Sequence, residues 1–165
     1  MLKTNAATSL TVNKLSRFGG KRSNKYATVS TARANTARPV KLAGGEVRLD
    51  VGGPARLKAK ATGQNGGASV KYKAPTVRVS RVGGIQDDEV QPGDTQKIEL
   101  GGGSFVLISV LDKSNKSVSN DGTKASGHVV PIQVKVVLNG LATANVKLLE
   151  LDTTAVAPKG GTRIG

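Results

Sequence analysis

Ala55-Arg-Leu-Lys-Ala-Lys-Ala61 alternates apolar and cationic residues without a break, and that strict period of two restricts its chain more than any other feature. Successive side chains of a strand point to opposite faces, so one face of this segment is apolar and the other carries three cations. The same period recurs at Glu46–Val51, Val70-Lys-Tyr-Lys73 and Val77-Arg-Val-Ser80. Further strands are expected at 95–100, 104–111, 128–138 and 142–151. The runs Ser104–Leu111 and Val134–Leu138 are the most apolar and are expected to be core strands covered on both faces.

Turn chemistry punctuates these runs. Asn65-Gly66 and Asn139-Gly140 are hairpin signals, because the tightest hairpin turns need positive φ at both central residues. Gly101-Gly-Gly-Ser104 lacks the Gly-Lys-Ser/Thr ending of a phosphate-binding loop and reads as a turn or bulge. Residues 112–127, DKSNKSVSNDGTKASG, read as one long loop, either functional or mobile. No amphipathic helix stands out. The expected fold is all-β: an antiparallel sandwich, jelly roll or barrel of about eight short strands.

Charge divides the chain. Residues 1–81 carry 17 Lys and Arg against Glu46 and Asp50, whereas residues 82–165 carry 8 against 9 acids, so the net charge of +14 belongs to the first half. Residues 1–40 contain no acid and are rich in Ser, Thr, Asn and Ala, the composition of a flexible basic arm that orders on binding. The expected organisation is an extended N-terminal arm at 1–40, a β domain at 41–154 and a C-terminal tail at 155–165. One-sided charge of this size points to a polyanion, most simply the phosphate backbone of nucleic acid. The residues expected to meet it are Lys14, Arg17, Lys21, Arg22, Lys25, Arg33 and Arg38 in the arm. In the strands they are Arg48, Arg56, Lys58, Lys60, Lys71, Lys73 and Arg78, with Tyr72 as the one plausible base-stacking side chain.

Other chemistry is scarce. With no cysteine, a disulfide framework, a thiolate metal site and a thiol nucleophile are all excluded. The single histidine, His128, precedes Val129-Val130-Pro131 and reads as structural. Asp87-Asp88-Glu89 does not fit a calcium loop and reads as a solvated turn. No metal, cofactor or enzyme activity is expected. Neither a secretory leader nor an apolar run of spanning length is found, so a soluble protein without a membrane partner is expected.

The layout resembles that of small viral coat proteins: an acid-free basic arm, then an all-β shell domain without cysteine or catalytic motif. The coat proteins of small RNA phages are similar in presenting a cation-bearing sheet to RNA. They usually end in two helices, which residues 128–165 do not suggest. The resemblance implies a non-enzymatic structural subunit of a virion, either a capsid coat or a capsid-associated decoration protein, assembled in the host cytoplasm. Its implied partners are further copies of itself, packaged nucleic acid and other capsid proteins. A cellular nucleic-acid-binding protein, ribosome-associated or architectural, is the alternative.

Overall fold

The computed structural model describes residues 7–19, 24–83 and 87–163. Within them the chain is nearly all antiparallel β-structure, as the alternation predicts. Sheet I has the order β1 (Ala7–Arg17), β2 (Lys25–Thr36), β5 (Ala55–Ala61), β6 (Ser69–Lys73), with β16 (Thr162–Arg163) also paired to β2. Sheet II has the order β3 (Val40–Leu42), β4 (Val47–Gly52), β7 (Thr76–Arg81), β8 (Asp87–Val90). Sheet III has the order β14 (Leu141–Leu148), β13 (Ile132–Leu138), β10 (Ser104–Val110), β9 (Thr95–Gly101). Sheet IV has the order β11 (Asn115–Val118), β12 (Lys124–Val129), β15 (Leu151–Val156).

These four sheets are two bent meanders. Strand β2 runs on into β3, β5 continues β4, and the register carries across the break: Ala34 faces Ala55, and six residues further along Val40 faces Leu49. In the same way Val129 faces Leu151 and, three residues on, Ile132 faces Leu148. Pro39, Pro54, Pro75 and Pro131 lie at the breaks, where a residue with no N–H interrupts a ladder at least cost. Sheets I and II therefore form one meander and sheets III and IV the other. The β8–β9 connection joins them, where the Gln96 side-chain amide donates to Asp88 Oδ2 at 3.2 Å. Apart from β16, which pairs with β2, neighbours in each meander follow chain order, so the closed-barrel alternative gives way to open up-and-down sheets.

The two meanders face each other around one main core. Leu42, Leu49, Val77 and Val79 of sheet II, Ile108, Ile132 and Val134 of sheet III, and Leu57 of sheet I belong to a single buried apolar cluster. Each such side chain contributes about 1.5–3 kcal/mol on burial. Between sheets I and IV the filling changes to Ala59, Ala61, Ala125, Ala155 and Ala157. Gly127 lies here against Val70 and Leu57, leaving no space for a Cβ. Small residues bring the backbones of β12 and β15 within 8 Å of β5, so the layers pinch together at the alanine end.

That end is also tied by its turns. Thr62 and Gly63 both donate backbone N–H groups to the Gly122 carbonyl, Gly66 donates to Asn120, and Gly160 donates to Gly63. Gly63 and Gly122 have φ of +71° and +72°, and a Cβ on either would land on a carbonyl oxygen, that of Pro158 or Gln64.

Several expectations change. Residues 25–36 are not part of a flexible arm: they form a central strand, with Ala27, Val29, Ala32 and Ala34 buried. Ala32 and Ala34 turn inward beside Leu57 and Ala55 and join the main core, whereas Ala27 and Val29 are buried on the opposite face, that of Lys60. The 112–127 segment is not an open loop. It supplies β11 and the start of β12, and its turn at 119–123 clamps the other layer. The 155–165 tail holds the end of β15, buried Ala157 and β16. Asp87–Glu89 lies in β8 rather than a turn. Asn139-Gly140 has the positive φ expected at both residues, 51° and 76°. At Asn65-Gly66 only the glycine does, and the turn closes through Gly67 N–H to the Gln64 carbonyl.

Candidate nucleic-acid interface

The outer face of sheet I gathers most of the cations named from the sequence. Residues directly opposite one another in a ladder share a face, so the register gives the map. One row runs Leu10, Arg33, Arg56, Lys73 across β1, β2, β5 and β6. The next runs Val12, Thr31, Lys58, Lys71, and the third Lys14, Val29, Lys60, Ser69. Neighbouring strands are about 4.8 Å apart and same-face residues along a strand about 6.8 Å apart, so the cations form a closely spaced grid. Strands β1, β2, β5, β6 and β16 contain no Asp or Glu on either face.

Like charges stand directly opposite at Arg33–Arg56, Arg56–Lys73 and Lys58–Lys71. Such pairs destabilise a sheet by up to about 1 kcal/mol each, so the free protein carries strain that an anion would relieve. Apart from Lys60, these cations are exposed. Lys60 is half-buried, with its ammonium 5.9 Å from the centre of the Phe18 ring. Lys25 lies on the same face. Arg163 of β16 sits directly opposite it and adds a cation that the sequence reading did not select. No periodicity marks a two-residue strand so far from its partner in sequence, and only the fold brings it here.

The remaining candidates lie elsewhere. Arg17 projects to the other face opposite Tyr26, donates to its hydroxyl at 3.1 Å and lies 5.7 Å from its ring centre. Arg48 and Arg78 are on sheet II, where Arg48 pairs with Asp50 at 2.8 Å and Arg78 approaches Glu89 at 3.9 Å. Arg38 is exposed at the β2–β3 break. Lys21 and Arg22 lie outside the described residues. Tyr72 is not a stacking residue on this face. The alternation that turns Lys71 and Lys73 outward turns Tyr72 inward onto the core cluster. Its hydroxyl is buried without a partner, and burial, aided by the nearby Asp112 charge, pushes its pKa well above the usual phenol value.

A second polar cluster lies on the outer face of sheet IV, in the row Asn115, His128, Asp152. His128 Nδ1 is 2.9 Å from Asp152 Oδ1, and Nε2 is 3.6 Å from Glu150 Oε1. Ser117, Ser126 and Thr154 complete an open trough of about 350 Å³. The three ligand atoms fall within 4.8 Å of one another. Each imidazole nitrogen faces its own carboxylate, however, which is the geometry of a ring held between two acids rather than of a shell converging on one metal. The neighbour of Nε2 is a carboxylate, where a hydrolytic triad requires a hydroxyl.

Among the described residues no helix is long and apolar enough to cross a membrane. Comparison with family models, curated proteins and solved structures finds no match to this chain.

Proposed function

We propose that this protein is a non-enzymatic structural subunit of a nucleic-acid-containing particle, in the manner of the viral coat proteins it resembles, and that the outer face of sheet I contacts the phosphate backbone. One observation carries the reading: a five-stranded sheet without a carboxylate sets its cations in cross-strand rows, like charge against like. Ordinary surfaces intersperse both signs. A face of this kind tracks phosphates by charge, and with Tyr72 turned inward it offers little for base stacking. Binding is therefore expected to be largely independent of sequence and shared by RNA and DNA.

Salt tests the contact directly. A footprint of about six phosphates weakens by about 10³-fold between 50 and 200 mM salt. An affinity for random oligonucleotides that stays flat over that range overturns the electrostatic reading. Size exclusion with light scattering on protein from expressing cells tests the particle. A megadalton species rich in 260 nm absorbance supports a virion coat. A small species that sheds nucleic acid in salt favours the cellular nucleic-acid-binding alternative.

A further inference from the structure

Strand β1 is long, regular and half-paired. Its 11 residues follow β2 without a bulge from Ala7–Thr36 to Arg17–Tyr26. Among the described residues nothing pairs with its other edge. It also projects past the opposing layer, since the last strand of sheet IV, β15, faces β2 and β5. Every residue from Ser9 to Leu15 is exposed, including Leu10 at 58%, Val12 at 45% and Leu15 at 48%. Ordering each backbone costs on the order of 1–2 kcal/mol, and an edge strand whose side chains from Ser9 to Leu15 are all exposed offsets little of that cost by burial. Proteins blunt such edges with proline, bulges or several charges. Here Lys14 is the one charge before the terminal Arg17.

We infer that this edge takes β1 of a second copy, antiparallel about a two-fold axis at Val12. Three features select that occupant. First, the strand is self-complementary about Val12: Leu10 meets Lys14 of the second copy, Thr11 meets Asn13, and Ser9 meets Leu15. Second, no cation faces a cation. The two Lys14 side chains lie about 14 Å apart, beyond the screening length of about 8 Å at physiological salt. The acidic edge strand β8 is a poorer occupant, because Glu89 already answers Arg78 and Asp88 receives Gln96. Third, a two-fold axis normal to the sheet keeps both outer faces on one side, so two cationic grids join into a single surface. The pairing itself needs no nucleic acid; only the joined surface rests on the function proposed above. An edge contact of this size is weak alone and tightens when one polyanion spans both grids.

The absence of cysteine makes the test clean. In nucleic-acid-free protein under mild oxidation, Val12→Cys is expected to cross-link to a covalent dimer, since directly opposed Cα atoms fall within disulfide reach. Leu10→Cys, four residues out of register with its own copy, and Val118→Cys on β11, exposed to the same 45%, are expected to remain monomeric. Val12→Lys is expected to weaken dimerisation at least tenfold, and mixing it with Val12→Glu restores association. Lys58→Glu separates pairing from binding: nucleic-acid affinity falls while its Val12→Cys double variant still cross-links. Equal cross-linking at all three positions, open-ended oligomers, or a wild-type monomer at high micromolar concentration overturns the pairing, while the salt-dependent binding is scored separately.

Discussion

Lys58 on β5 stands directly across from Lys71 on β6, on a sheet that holds no carboxylate to separate them. The pair opposes folding in the free protein and favours any ligand that brings negative charge between the strands. Lys58→Glu converts a repulsive cross-strand pair into an attractive one. It is expected to raise stability by about 0.5–1 kcal/mol at low salt, an advantage that shrinks toward 1 M salt. The same change is expected to weaken oligonucleotide binding and lower the slope of log K against log salt by about 1. Thermal melts and salt titrations of one protein preparation read both effects. A variant less stable than wild type at low salt contradicts the assigned register.

Tyr72 separates stacking from packing. It sits between two outward lysines but faces the core, with a buried hydroxyl that has no partner. Tyr72→Phe removes an unsatisfied polar atom and keeps the ring. Stability is expected to stay level or rise by about 1 kcal/mol, and affinity for single-stranded RNA is expected not to change. A tenfold loss of affinity would return Tyr72 to the interface.

How far the sequence discloses this molecule depends on contrast between neighbouring side chains. In Ala55–Ala61 each inward Ala or Leu alternates with Arg or Lys, so both the strand and its cationic face are readable. In Lys25–Thr36 the alternation is among Ala, Ser, Thr and Val, residues too alike to show a period, and the acid-free composition suggests an arm. That composition arises instead because β1 and β2 belong to the cationic sheet. The 112–127 segment misleads in the same way. Its Ser, Asn and Gly residues make a turn whose order comes from Gly63 and Gly66, more than 50 residues away in sequence. Arg163 and the proline-marked bends also depend on register, which local pattern does not specify.

The interlocked glycines at the alanine end are expected to be the least replaceable backbone positions. Gly122 combines φ of +72° with a Cβ direction occupied by the Gln64 carbonyl. Gly53 has a comparable φ of +82° with open space around it. Gly53→Ala is expected to cost only the left-handed strain, about 1–2 kcal/mol. Gly122→Ala adds displacement of the clamp and is expected to cost about 2–5 kcal/mol, measured by urea unfolding. Equal costs at the two positions would mean that the 119–123 turn does not bear on the opposite layer.

The same turn contains an acid-sensitive element. Asp121 Oδ1 accepts from the Thr123 backbone N–H at 3.0 Å and from the Thr123 hydroxyl at 2.7 Å. Hydrogen bonding from the side chains of Ser119 and Thr123 lowers the Asp121 pKa from 3.8 to about 2. Because the folded value lies below the unfolded one, the carboxylate favours the folded state above about pH 4, and that contribution is lost as pH falls through about 2. Asp121→Ala is therefore expected to be less stable than wild type by a constant margin above pH 4. The margin should narrow between pH 4 and 2 as the wild-type carboxylate takes up its proton. Paired denaturation curves across that range measure it. A margin that stays constant down to pH 2 would place the contribution of Asp121 in the shape of its turn and not in its charge.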